Sequence, residues 1–256
     1  MCASEARTAS SDHYLRLSTI LPGTRTAQRM HRAELSDQDF SSFSGIGMIV
    51  CTHGGVSRSS TAFLVGAFDV AVTVAHTFQT ESDEQPECVY NSTDSLGQIR
   101  ERIPVAYIKS QWKAEPGASG ELSKDLAVVR LAEPSRYAQR TMPLGRFSGK
   151  PATVLMVGFK EAAYWDTMKL KKRGRVYDET INLPGASLGG FVHDMDSLHI
   201  APGAPVIDER SGIIIGIHTR LDDSRNTMIT MNDWLEATLR AELQAQPGQP
   251  QQSRAN

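Results

Sequence analysis

The sequence predicts an all-β fold, a barrel or sandwich, finished by one C-terminal helix. Three observations lead there. From Phe43 onward short apolar runs recur, each bounded by turn residues. Helical spacing is almost absent between those runs. One amphipathic helix pattern appears, and only at the end of the chain. Many short strands without intervening helices favour an antiparallel architecture over alternating β and α units.

Taken in order, residues 1 to about 40 are polar and weakly periodic, and read as an N-terminal extension with a short helix expected around 29–35. The expected strands are GIGMIVCT (45–52), TAFLVGAFDVAVTVAH (61–76), RIPVAYI (102–108), LAVVRL (126–131), ATVLMVGF (152–159), TMKLKKR (167–173), GGFVHDM (189–195), APVID (204–208), GIIIGIHT (212–219) and NTMITM (226–231). Together they form one domain over 41–244, divided near 135–150. In NDWLEATLRAEL (232–243), Asn232 or Asp233 offers an N-cap. Trp234, Leu235, Leu239 and Leu243 then follow at helical spacing. Residues 245–256, rich in Gln and Pro, read as a disordered tail.

Composition narrows the function. The 256 residues carry 27 Lys and Arg against 29 Asp and Glu, with 40% hydrophobic and 22% charged residues. That balance argues against nucleic acid or an anionic membrane as the main partner. No apolar run approaches the ~20 residues that span a bilayer, and the first residues make a poor secretory signal. Cys2, Cys51 and Cys88 are an odd number without a CxxC pair. They point to free thiols in a cytoplasmic or otherwise reducing compartment, with a Cys51–Cys88 bridge as the alternative. The histidines lack HExxH spacing and no glycine loop suits a phosphate, so no metal or cofactor is expected.

Three local patterns carry chemistry. VTVAHTF places His76 just past an apolar strand, and SKDLAVVRL places Asp125 at the mouth of another. DSLHIAPGAPVID then feeds GIIIGIHTR. Alone, a histidine at a strand end is commonly structural, and an aspartate there is commonly a turn residue. In this order and on a β pattern, the set resembles the trypsin-like serine peptidases, where a buried Asp orients a His that deprotonates a Ser. Within them it is most similar to the bacterial glutamyl-endopeptidase-like branch. That branch carries an H-D-x-D-[ST] stretch before the nucleophile turn and a G-I-H strand after it, matched here by His193–Ser197 and Gly216–His218.

The resemblance covers roughly 43–243. It implies two six-stranded antiparallel β-barrels of trypsin-like type, with a cleft between them and a C-terminal α-helix. It makes His76 the general base and Asp125 its orienting carboxylate. It also sets Asp196, Ser197 and His218 around the primary specificity pocket, where a His and a hydroxyl suit an acidic side chain. Arg220 falls near a pocket wall that is usually small.

The resemblance breaks at one place. Aligning APGAPV with the nucleophile turn puts Gly203 and Pro205 where expected and leaves Pro202 in the serine's position. A prolyl ring has neither a hydroxyl nor an N–H, and the nucleophile's own N–H is normally an oxyanion-hole donor. Two residues earlier, where a glycine supplies the other donor, stands Ile200. A β-branched residue does not readily adopt a glycine-type backbone conformation. The expectation is therefore an inactive homologue that binds a peptide or protein in its cleft. The alternative is an active serine endopeptidase, of acidic preference, using another serine such as Ser187 or Ser197. Two further stretches have simpler readings: GASLGG (185–190) is a turn before a strand, and KLKKRGR (169–175) reads first as an exposed hairpin, with the binding of a phosphate or an acidic partner as the alternative.

Overall fold

The structure, a computed structural model, describes residues 41–80, 86–94, 97–112, 122–159, 169–180, 190–193, 202–222 and 225–245. The chain divides into Met1–His31 and Arg32–Asn256, and every described residue belongs to the second unit. The N-terminal extension, its expected helix and the final residues of the tail lie outside the description.

The described chain is mostly β. Its strands are β1 (Ile46–His53), β2 (Val56–Leu64), β3 (Val70–Thr73), β4 (Glu87–Thr93), β5 (Ile99–Ser110) and β6 (Ala127–Leu131), then β7 (Ala152–Phe159), β8 (Lys169–Thr180), β9 (Gly190–His193), β10 (Pro205–Asp208), β11 (Ile214–Asp222) and β12 (Arg225–Ile229). The first six close into a barrel ordered β1-β2-β3-β6-β5-β4. The others form a second antiparallel sheet, β10-β11-β12-β9-β8-β7, with β10 hydrogen-bonded to β7.

Period-2 alternation assigns each face of a strand to a different core. On β7, Val154 and Met156 enter the cluster inside the second sheet, while Val157 and Phe159 join the cluster between the two sheets. β3 behaves alike, sending Ala71 inside the barrel and Val70 and Val72 into the shared core. Strands buried on both faces read as continuous apolar runs, and the sequence identifies them for that reason.

Two departures from the expected strands have local causes. The run 61–76 is a hairpin rather than one strand. It turns at Gly66, whose φ of +69° suits glycine, and the Val65 N–H donates to the Val70 carbonyl at 2.9 Å. β4 was not expected, because Asn91, Ser92 and Thr93 look like loop. All three are buried: Asn91 Nδ2 donates to the Met48 carbonyl at 3.3 Å, and the Ser92 hydroxyl lies 3.1 Å from that of Ser135.

The thiol reading is corrected here. Cys51 on β1 and Cys88 on β4 stand directly opposite in the register and form a disulfide. Neighbouring strands bring their Cα atoms to 4.0 Å, a proximity that spacing along the chain cannot reveal.

The C-terminal helix, α1 (Asp233–Gln244), begins at Asn232, whose side chain accepts from the Leu235 N–H at 2.8 Å. Leu235 and Leu239 are buried as expected, but Leu243 is 44% exposed and lies over Gly66. The inward place belongs to Glu242 instead. Its carboxylate takes the Tyr107 hydroxyl at 2.7 Å and Arg130 Nη2 at 2.9 Å, and pairs with Lys109 at 2.6 Å. Arg130 also bonds the Glu242 carbonyl, and meets Asp69 at 2.8 Å. Burial opposes the Glu242 charge, but Lys109, Tyr107 and Arg130 outweigh it and hold the carboxyl below its ordinary range.

Removing one partner of such a cluster leaves an uncompensated buried charge. Glu242→Ala is expected to cost about 3–5 kcal/mol in urea unfolding. Asn232→Ala is expected to cost about 1 kcal/mol.

Candidate active site

The site is assembled by strand ends. β3 pairs antiparallel with β6, Thr73 opposite Ala127, so the chain leaving β3 lies beside the chain entering β6. His76 sits in the 3-10 turn Ala75–Phe78 that follows β3, and Asp125 sits between the turn Leu122–Lys124 and β6. Asp125 Oδ2 accepts from His76 Nδ1 at 2.7 Å, and its Oδ1 accepts from the His76 backbone N–H at 2.8 Å. The Asp125 side chain is 3% exposed and that of His76 34%.

A third donor comes from the other sheet. Thr219 Oγ1, on β11, donates to Asp125 Oδ2 at 2.8 Å. Sequence reasoning missed Thr219, although it directly follows His218 in GIHT. A carboxylate with both oxygens engaged holds the His76 proton on Nδ1, and Nε2 then carries a lone pair able to take a proton.

β11 also positions the Pro202 turn. The Gly203 N–H donates to the His218 carbonyl at 2.7 Å, the His218 N–H donates to Ala204 at 2.8 Å, and the Pro202 carbonyl accepts from the Thr61 N–H of β2 at 2.8 Å. Gly203 has φ +88°, and a Cβ there would meet the Thr61 carbonyl oxygen at 2.1 Å. Neither residue of this turn offers an N–H to an incoming carbonyl. Pro202 has none, and that of Gly203 is donated to β11.

Beneath the turn two imidazoles are buried together. His193 Nε2 lies 3.1 Å from His218 Nδ1, with the rings edge to face. Burial pushes His193 down to about 4. Burial, then the charge of His193, pushes His218 down to about 3. Both are neutral at neutral pH, one donating to the other. Of the remaining residues expected at the site, Asp196, Ser197 and Ile200 lie outside the described residues, as do Ser187 and Asp194. Arg220 continues β11. Among the described residues no group of His, Cys, Asp and Glu forms a metal site.

No protein-family model and no curated protein sequence matches the chain. Solved structures do. The chain is similar to the Anisep protease of Arthrobacter nicotinovorans, with 12% identity, TM-score 0.61, and 79% of this chain and 96% of that one covered. It is similar to a Glu endopeptidase, with 14% identity, TM-score 0.62, and 83% and 96% covered. It is also similar to the HL collagenase, with 10% identity, TM-score 0.63, and 84% and 97% covered. These neighbours are trypsin-like serine proteases, and at such identities the likeness is one of fold.

Two outcomes follow from the geometry. Gly203→Ala is expected to lower stability by several kcal/mol, on the order of 3, because the turn must open to clear Thr61. The buried histidines give a pH dependence. Their folded values lie below the ordinary His value of about 6.5, so the unfolded chain binds more protons below that pH. Stability is expected to fall from about pH 6.5 towards pH 4, by at most about 1.4 kcal/mol per group per pH unit. Chemical denaturation across that range, with His193→Gln/His218→Gln as the comparison, should show a flatter profile in the variant.

Proposed function

We propose that this chain is a trypsin-like serine peptidase homologue of two six-stranded barrels, which holds a peptide or protein segment in the inter-barrel cleft without cutting it. One observation carries the reading. The pair His76 on Asp125, with Thr219 behind it, supports the reading, in which the Pro202 turn held by β2 and β11 takes the nucleophile's place. In this reading His76 keeps a base's geometry with no hydroxyl to deprotonate at residue 202, and the acyl-enzyme route is closed. The missing N–H at Pro202 and the isoleucine at position 200 weaken the oxyanion site as well, each lost donor costing about 10²–10³ in turnover. Asp196, Ser197 and His218 line the specificity pocket in the same reading; the fold neighbours, one of them a Glu endopeptidase, support its trypsin-like fold.

A fluorophosphonate probe tests this directly. The purified chain is expected to show no labelled serine, with or without His76→Ala. Labelling that depends on His76 would overturn the proposal, establish an active endopeptidase and name its serine. Pro202→Ser is expected to restore almost no peptidase activity, because Ile200 remains. Robust turnover from that single change would show that only the hydroxyl was missing.

A further inference from the structure

Asp125 lies just outside the strand ladders that flank it. Pairing of β6 with β3 and with β5 begins at Ala127, opposite Thr73 and Ser110. Before that point the Leu126 N–H donates to the Lys124 carbonyl at 2.7 Å, closing a tight turn about Asp125. The direction of the carboxylate therefore depends on how this turn is seated. A displacement of about 1 Å would take Oδ2 from 2.7 Å to beyond hydrogen-bond range of His76 Nδ1.

α1 helps to seat it. Leu126, Val128 and Arg130 alternate along one face of the chain entering and forming β6. Asn232, Leu235, Leu239 and Glu242 fall at three- and four-residue spacing on one face of the helix. The two rows meet in the same order: Leu126 and Val128 share a core cluster with Leu235 and Leu239, and Arg130 bonds Glu242 beyond them. At the opposite end Asn232 Nδ2 donates to the Ser123 carbonyl at 3.1 Å, while its Oδ1 accepts from the Leu235 N–H at 2.8 Å. Both ends of one amide are in use. The oxygen starts the helix, and the nitrogen holds the residue two before Asp125. Capping alone does not call for an amide, because Asp and Ser cap about as well as Asn. Of the three, Asn accepts at the cap and also carries an N–H donor out to Ser123.

We propose that Asn232 is a positioning residue for the His76–Asp125 pair: its amide fixes the Ser123 turn and, through that turn, the aim of the Asp125 carboxylate. The inference rests on the reading of this pair as the site's base and its orienting group. The C-terminal helix then acts on the cleft at a distance, by holding the carboxylate that holds His76.

Proton NMR of the full, nitrogen-15-labelled chain tests the proposal. The proton on His76 Nδ1, held by the Asp125 carboxylate, is expected to give a low-field resonance that His76→Ala removes. Asn232→Asp keeps the cap and removes the donor. It is expected to speed solvent exchange of that proton about fivefold, the worth of one ordinary hydrogen bond, and to move its resonance, with the Leu235 amide still protected. Asn232→Ser, which also caps but stops one bond short of Ser123, is expected to do the same and serves if the aspartate variant fails to fold. Asp94→Ala breaks the pair with Arg100 between β4 and β5, at the end of β5 away from Ala127. It is expected to lower stability while leaving the His76 resonance in place and its exchange within about twofold. Exchange within about twofold of the unaltered chain in both Asn232 variants would reduce Asn232 to a cap and overturn the proposal. An equal acceleration in Asp94→Ala would overturn it too, by making the effect one of global stability. A resonance missing from the unaltered chain would mean that His76 and Asp125 are not paired, and the proposal would fall with them. Serine labelling by the fluorophosphonate would instead overturn the non-cutting reading, and would leave these exchange ratios as measured.

Discussion

One buried carboxylate ties the architecture together. Asp125 accepts from His76 twice and from Thr219 once, so a single side chain joins the two ends of the first barrel's β3–β6 pair to β11 of the second sheet. Burying a carboxylate away from water is costly unless its oxygens are engaged, and three donors meet that requirement. Fixing it orients His76 and joins the two sheets at the same point. The helix is attached to the same region: Asn232, its N-cap, donates through Nδ2 to the carbonyl of Ser123, two residues before Asp125.

The Pro202 turn is a frame fastened to both halves. Its glycine sits against the Thr61 carbonyl, and its carbonyl and following N–H bridge β2 and β11. Those bonds hold the two halves in register whether or not residue 202 has a hydroxyl. Proline fits because its carbonyl is used and the N–H it lacks is not needed by the frame. The turn therefore has a structural duty independent of any chemistry at residue 202, as does the His76–Asp125 pair, which satisfies a buried carboxylate.

Two further groups of polar side chains are packed together among the described residues. One is the neutral His193–His218 pair under the turn. The other is the cluster of Glu242, Arg130, Asp69, Lys109 and Tyr107, which fastens α1 to the first barrel. In both, groups that would be costly alone are matched to one another, and each match is specific to one docking geometry. The apolar clusters supply contact without such direction. The buried ion pairs and the imidazole contact set which element meets which.

The amino-acid sequence alone determined the β class, most strand positions, the terminal helix and the candidate residues His76, Asp125 and Pro202. Those features are local: apolar runs bounded by turns, a cap before a helical stripe, and short motifs in a fixed order. Tertiary structure alone decided that polar β4 is a strand, that Cys51 bonds Cys88, that Glu242 rather than Leu243 faces inward, and that Thr219 completes the Asp125 site. Each of these depends on a partner far along the chain, 94 residues away for Thr219 and 112 for the contact of Glu242 with Arg130. A pattern that repeats every two or four residues specifies which face is apolar. It does not specify which distant atom will be there to satisfy a buried hydroxyl, thiol or carboxylate.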